Sequence, residues 1–459
     1  MSDLFSNVVA LSKRRGFVFP SCEIYGGLAN TYDYGHYGSL LKENIKNLWF
    51  KKFFESRHDL FRIESSIILN PKVWEASGHV ATFADVMVED SVTNKRYRAD
   101  HLIEDFFASK GDDTVVDGMT AEQLQEIIDR EGIVSPDGNP LVNARKFNLL
   151  FETEIGIIEG EGNRAFLRGE IAQGIFLNYK NILDSMSPKL PFGIGQHGKV
   201  FRNEISKGQF TFRTLEFDLM EFEYFFNPEE NDWQELFEYW KSEIYQFALL
   251  CGVNPDNLRF RDHEDFELSH YSKGTVDLEY KFPWGFKEMF ACAYRTDFDL
   301  KNHAEKSKQK LDYTYPDGKK ITPHVIEPTF GLSRFVTILL MDSYREESLE
   351  NGETRTFLQF DPKIAPVKLA VFPLVKKEPL QNLANEIVSK FSSKFNVEYS
   401  ETGSIGKRYR KHDEIGTPYC LTVDFDSLDD KCVTIRDRDS LEQVRVSIDK
   451  LDEFFSEKF

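Results

Sequence analysis

Two runs, Val200-Phe-Arg-Asn-Glu204 and Phe210-Thr-Phe-Arg-Thr-Leu-Glu-Phe-Asp-Leu-Met-Glu-Phe-Glu-Tyr-Phe-Phe226, decide the fold. Apolar and polar residues alternate along the second run, and that length of alternation predicts an extended antiparallel hairpin. Arg202 and Glu204 stand two apart, so on a strand they would share a face. The planar fork of Arg202 suits a phosphate or a carboxylate. Glu204 can accept from an amino group, and Phe217 offers a flat apolar surface for a base. An isolated Arg-x-Glu is more often one half of a surface ion pair across two strands.

Upstream of the hairpin, Leu41, Ile45, Leu48, Trp49 and Phe53 fall on one helical face. A strand pattern over 61–69 follows and stops at Asn70-Pro71. Turn residues around a helical stretch at 120–131 mark 101–145 as an insertion. Downstream, Glu327-Pro-Thr-Phe-Gly-Leu-Ser-Arg334 opens an apolar helix. A helix N-terminus favours anions, and Arg334 adds a fixed positive charge there. No phosphate loop of the GxxxxGK[ST] type occurs. Two less specific segments are Arg168-Gly-Glu-Ile-Ala-Gln-Gly174 and His270 to Tyr280, the latter leading to Lys287-Glu288 and Ala293-Tyr-Arg-Thr-Asp-Phe-Asp299. Glu288 has the oxygen ligands that Mg²⁺ prefers. His270 reads as a structural histidine.

The chain has 459 residues with 41% hydrophobic and 29% charged, which excludes a disordered or collagen-like chain. No apolar run reaches the roughly 20 residues of a membrane span. The first residues carry their charges after the apolar stretch, the reverse of a secretory signal. Five scattered cysteines with no CxxC pair argue against disulfides and against a four-cysteine zinc site. A cytoplasmic location is the expectation. The net charge of −19 argues against indiscriminate nucleic-acid binding. Residues 365–459 contribute only −2 of it, from 15 Lys/Arg and 17 Asp/Glu. That shift, with the prolines of Asp361-Pro-Lys-Ile-Ala-Pro366, marks a boundary. Beyond it, strand patterns at 367–375, 397–399, 419–425 and 432–436 interleave with a helix bearing Leu380, Leu383, Ala384, Ile387, Val388 and Phe391 on one face. The expected fold is therefore an α+β antiparallel-sheet domain over 1–361 with an insertion, and a smaller α/β domain over 362–459.

In this order the segments resemble the three signature motifs of class II aminoacyl-tRNA synthetases. The finer resemblance is to the single-chain, homodimeric glycyl-tRNA synthetases. It is carried by WEASGHVATFAD (74–85), RYRADH (96–101), RGEIAQG, FRNEIS, HYSKGTVDLEY, YRTDFDL, EPTFGLSR, GSIGKRYRKHDEIGTPYC (403–420) and VTIRDRDS (433–440).

The resemblance implies ATP-dependent attachment of glycine to tRNA(Gly) through glycyl-adenylate. Arg202, Glu204 and Arg334 would be catalytic. Arg202 would hold the α-phosphate and the glycine carboxylate, and Glu204 the adenine amino group. Phe217 and Arg334 would sandwich the adenine. Asn203, Phe212, Arg213, Lys287 and Gly331 would complete the ATP site. Glu216 and Glu288 would sit by the phosphates and Mg²⁺. Arg98, Glu170, Phe217, Glu221, Glu327, Thr329 and Gly331 would line the glycine pocket.

The chain departs from the family at Gly169 and Ile171, where Pro and Thr are usual, at Leu215, often Arg, and at Thr329, more often Ser. Ser135-Pro-Asp-Gly stands where some relatives carry cysteines, so no structural zinc is expected. The helix and strand ending at Pro71 would form a dimer interface. The last domain would read the anticodon arm, with Lys407-Arg-Tyr-Arg-Lys-His412 as its basic cluster. The competing reading is an inactive synthetase-like accessory protein that binds nucleic acid; it would be expected to lose the ATP-binding arginines, and here they are present.

Overall fold

The computed structural model describes residues 2–112, 114, 116, 119–156, 164–204, 209–349, 352–456, 458 and 459. Ile205 and Ser206 of the FRNEIS motif, and 113, 115, 117 and 118 of the expected insertion, lie outside them.

The body is built on a seven-stranded sheet in the order Leu258–Asp262, Gly274–Phe282, Gly285–Thr296, His324–Gly331, Glu216–Phe226, Phe192–Phe201, Leu60–Arg62. Every neighbouring pair is antiparallel except the last, which is parallel. The expected hairpin is present, but its arms are Phe192–Phe201 and Glu216–Phe226. Residues 210–215 lie in the connection, and Arg202 to Glu204 have left the strand. The backbone explains this. Asn203 N–H donates to Leu149 O instead of to the sister strand, and Phe210 takes a left-handed φ of 56°.

Even-numbered residues of Glu216–Phe226 face the main core. Met220, Phe222 and Phe226 are wholly buried there, beside Trp49, Phe53, Trp240 and Phe330. On the opposite face Glu221 and Glu223 are 2% and 0% exposed. This row is the wall of the candidate site.

Helix His36–Phe50 continues as a wider turn through Glu55 and lays Leu41, Ile45, Trp49 and Phe53 on the sheet, all at 0% exposure. Phe53 meets Phe222 and Phe330 at ring-centroid distances of 5.4 and 5.3 Å. Burying such side chains contributes about 1.5–3 kcal/mol each. The expectation that this apolar face needs a partner subunit is thus corrected, because the chain's own sheet covers it. The 61–69 strand pattern is split into Leu60–Arg62 and Ile68–Leu69, which join different sheets.

The segment expected as an insertion belongs to a compact unit that begins earlier. Strands Ala84–Asp90, Arg96–Arg98 and Leu141–Asn148 carry helices Ala99–Ser109 and Ala121–Glu131. Val88, Ile103, Leu124 and Ile128 form its own core. Thr120 and Gln123 make a reciprocal capping box at the second helix. Asp90 ties the turns together, accepting from Ser135 Oγ, Asn139 Nδ2 and the amides of Val92 and Thr93.

Ile364, Ala365 and Val367 are buried in the body's core, and the C-terminal core begins at Leu369. Its sheet runs Val397–Tyr399, Leu369–Pro373, Tyr419–Val423, Cys432–Asp437, Gln443–Ser447, the first three parallel and the rest antiparallel. Helix Glu378–Phe391 buries Leu380, Ala384, Ile387 and Phe391, as the pattern predicts. The basic cluster lies on helix Ile405–Glu414, which buries Arg408 and His412 and leaves Lys407 and Arg410 exposed. Arg408 is buried and donates to the carbonyls of Pro373, Ser400 and Leu374. Lys411 pairs with Glu398 and Arg410 with Glu353, which leaves Lys407 as the exposed charge without such a pairing among the described residues. The cluster is thus part internal fastener, through Arg408, and part surface charge paired with the carboxylates of Glu353 and Glu398.

The same helix clamps the two parts of the chain. Asp413 accepts from Arg355 of the body at 2.8 Å and from Arg436 of the C-terminal sheet at 2.8 and 3.0 Å. Glu414 takes Arg14 and Arg15, and Tyr37 donates to Glu398. Removing one partner of a buried ion pair costs about 3–5 kcal/mol. Asp413→Ala should therefore lower the unfolding free energy measured by urea titration of the full chain by an amount of that order, and an unchanged value would show that the clamp contributes nothing.

Candidate active site

The site is a cavity of about 210 Å³ on the odd-numbered face of Glu216–Phe226. Sheet register assembles its inner end. Glu221 pairs across to Thr329, and Ala291 and Ala293 of the next strand pair with Thr329 and Glu327. Glu221, Glu223 and Glu327 bring one oxygen each to within 4.8 Å of one another. Thr329 Oγ1 donates to Glu221 at 3.0 Å, whereas neither oxygen of Glu223 takes a hydrogen bond among the described residues.

Arg295, 0% exposed, is the cation that holds this wall. It donates to both oxygens of Asp299 at 2.8 and 3.0 Å and to Glu327 at 3.0 Å, and it lies 3.7 Å from Glu170. Its guanidinium lies 3.8 Å from the centroid of the Tyr271 ring. Gln173 donates to Glu170 and Asp299, both at 2.8 Å, and His79 lies 3.2 Å from the other Glu170 oxygen.

Charges follow from these positions. Burial works to raise the Glu170 carboxyl, but His79 and Arg295 outweigh it and hold the group far below the usual range. Burial, then repulsion from Glu327, pushes Glu221 and Glu223 well up. Burial raises Glu327 to about 7 against the pull of Arg295. The wall therefore holds more carboxyls than it can keep ionised, and an incoming ammonium would relieve it.

The outer end is aromatic and cationic. Arg202 donates to Gly169 O at 3.0 Å and lies 5.4 Å from the Phe217 ring centroid. Arg334, in the first turn of helix Leu332–Ser343, reaches Glu288 at 2.9 Å and lies 4.5 Å from the Phe212 ring. Glu204, Arg213 and Gly331 line the same cavity. The Glu288 side chain is half exposed. Partial desolvation opposes its ionisation, but Arg334, Arg202 and Arg213 together hold it below the usual range. It keeps a charged oxygen available for a divalent cation beside a phosphate.

Some expected members stand apart. Glu216 pairs with Lys199 at 2.9 Å, on the strand face opposite Phe217, so it does not meet Glu288 at a metal. Arg98 lies on the inserted unit between Asp85 and Asp100, facing a neighbouring cavity instead of the carboxylate wall. Asn203 is anchored through its backbone, outside the cavity lining, and Lys287 lines an adjoining cleft with Arg213 and Trp284. Among the departures, Gly169 serves through its carbonyl, Leu215 through its backbone and Thr329 through its hydroxyl, while Ile171 is core. Sequence reasoning quoted the segments that hold Arg295, Asp299 and Gln173 without giving these residues a role, and it did not single out Glu223. Spacing offered one signal, since Glu223 stands two from Glu221 on a strand and must share its face.

An antiparallel sheet with an arginine at the hairpin loop, and a second arginine opening the helix behind the sheet, defines the class as class II aminoacyl-tRNA synthetase. Residues 368–458 match the family model described as an anticodon binding domain. The chain is 50% identical over 465 residues to the glycine–tRNA ligase of Staphylococcus aureus strain bovine RF122, covering 100% of this chain and 99% of that one. It is 49% identical to the glycine–tRNA ligases of Alkaliphilus metalliredigens and Acetivibrio thermocellus, over 98% of this chain and 97% and 98% of theirs. The chain belongs to the glycine–tRNA ligase family.

Glu223 tests the charge balance of the wall. Its folded-state affinity for a proton exceeds that of an unfolded glutamate, so its stabilising contribution is full below about pH 4.3 and is lost as pH rises. Glu223→Gln removes that loss. Its melting temperature should exceed that of the parent by a margin that widens from about pH 5 to pH 8. A margin independent of pH would refute the assignment.

Proposed function

We propose that the chain activates glycine with ATP to give glycyl-adenylate and then transfers the glycyl group to tRNA(Gly). One observation carries this reading: a single cavity runs from an over-full carboxylate wall to an arginine and aromatic end. The ammonium of glycine fits the first, against Glu170, Glu221 and Glu327, with Thr329 and the small Ala291 and Ala293 limiting side-chain room. ATP fits the second, with its base between Phe217 and Arg334 and its amino group on Glu204.

In the first step the glycine carboxylate attacks the α-phosphorus and pyrophosphate leaves. Arg202 lies between the two ends, where it can hold carboxylate and α-phosphate in line. It then opposes the charge that builds on the crowded phosphorus, as Arg334 and Arg213 do on the leaving phosphates. Mg²⁺ would neutralise phosphate charge, with Glu288 giving it one oxygen. No protein nucleophile is needed. Glycine has no smaller standard competitor, so a cramped pocket suffices for selection without an editing step.

Three further readings complete the proposal. The chain divides after Asp361, with 362–459 as the anticodon-reading part, although the buried Ile364 and Val367 tie that junction to the body. The working unit is a homodimer in the cytoplasm. What supports the dimer is not the buried helix but the loop at 22–28, where Ile24 and Tyr25 are 88% and 87% exposed. Among the described residues no helix is long and apolar enough to cross a membrane.

Arg202→Ala should slow glycine-dependent pyrophosphate exchange by about 10²–10³, the usual effect of losing one preorganised charge contact. Exchange at the parent rate would remove Arg202 from the reaction. Light scattering at micromolar concentration should give twice the 53.3 kDa of one chain, and a monomer that still charges tRNA would refute the dimer.

A further inference from the structure

A cavity of about 600 Å³ shares no lining residue with the catalytic one. It lies where the end of helix His36–Phe50, the junction at 363–368 and the C-terminal domain meet, and all three supply its wall. The junction is fixed there, because Asn44 Nδ2 donates to the carbonyls of Ile364 and Ala365 at 3.2 and 2.8 Å. The volume falls in the range of a small-molecule site, about 300–1,000 Å³.

The lining is cationic in a chain of net charge −19. Lys51, Lys363, Lys368 and Lys394 meet a single lining carboxylate, Asp452. That carboxylate already pairs with Lys390 and Lys394, at 2.7 and 2.6 Å. Lys363 lies 3.5 Å from Asp361. Lys51 and Lys368 pair with no carboxylate among the described residues. Lys51 is exposed, whereas Lys368 is only 7% exposed. An ammonium has three hydrogens to place. Among the described residues the Lys368 Nζ makes one hydrogen bond, to Pro362 O. Burial pulls this ammonium down to about 7, with Asp361 working against the shift and Lys363 adding to it. A buried cation without a counter-charge is costly, and an anion in the cavity would relieve it.

The other end is aromatic. The Phe391 and Phe395 rings lie near-parallel with centroids 5.6 Å apart, and Phe459 meets Phe395 edge-on at 4.7 Å. Phe395 is half-buried and lines the cavity, so part of its surface stays open to a flat ligand. The site thus joins cations to an aromatic face within one enclosed volume.

We propose that this cavity binds a nucleoside diphosphate, with its phosphates on Lys368 and Lys51 and its base against Phe395. Phosphate oxygens supply the acceptors that the Lys368 ammonium lacks, and an aromatic ring accepts any base. A nucleic-acid strand fits less well, because these lysines enclose a cavity instead of forming a stripe along a surface. The inference goes beyond the function proposed above and does not depend on it.

The test is calorimetric titration of the full chain with GDP, whose base differs from the adenine proposed for the catalytic cavity. One GDP should bind per chain, and inorganic pyrophosphate should displace it. Lys368→Met should weaken GDP binding by about 10- to 100-fold, the effect of losing a hydrogen bond to a charged group. Lys51→Met should weaken it as well, and this exposed position serves if Lys368→Met fails to fold. Phe395→Leu should weaken GDP by about 5-fold or more through lost stacking, while the affinity of pyrophosphate, read from its displacement of GDP, stays unchanged. Arg202→Ala should bind GDP as the parent does. No binding of GDP to the parent, equal binding to the parent and both lysine variants, or loss of binding in Arg202→Ala would each overturn the proposal. So would a tRNA affinity that falls in both lysine variants with no GDP bound by the parent.

Discussion

One buried guanidinium organises the body of this protein. Arg295 is the cation against which Glu170, Asp299 and Glu327 are set, and those residues come from a loop, a helix and a strand far apart in sequence. Burying so many charges is tolerable only with good geometry and satisfied hydrogen bonds. Gln173 and His303 provide part of that, since His303 Nε2 and Gln173 Oε1 lie 2.6 Å apart while the Gln173 amide donates to two carboxylates. The wall remains unbalanced at Glu221 and Glu223. A purely structural core would replace such residues with apolar ones. Here the strained row is carried by the sheet behind it, with Phe222, Phe330 and Trp240 packed on the opposite face.

Much of the scaffold was legible because its periodicities were strong. The Trp49 face, the Leu380–Phe391 face and the C-terminal strands follow directly from apolar spacing. Of the glutamate row, Glu221 was reached only through the resemblance, and Glu223 was not legible. Alternation between Met220 and Tyr224 has the same form whether the polar side meets water or a lined cavity. Only the neighbouring strands decide, and register across strands is a tertiary fact. Arg295 lay inside a segment that carries the resemblance, but its role was not legible, since Glu170 and Glu327 meet it only through tertiary packing. The hairpin was lengthened in expectation because Phe210 and Phe212 continue the aromatic pattern, while a left-handed Phe210 ends it.

Composition misled most at the basic cluster. Four positive charges in six residues look like a nucleic-acid patch. A count cannot show that the Arg408 donors end on backbone carbonyls of its own domain, or that Lys411 has a carboxylate facing it. The same lesson applies to the helix at 36–50. Its apolar stripe was real, but a stripe states only that something covers it, and here the chain does so itself.

Helix Ile405–Glu414 has one more consequence. Asp413 is gripped from both sides of the junction, and Arg438 donates across it to Phe360 O at 2.8 Å. The C-terminal part is therefore not a tethered hand that searches for its target. It sits as a fixed jaw beside the body: to swing away, the chain would have to break the Asp413 and Arg438 contacts together.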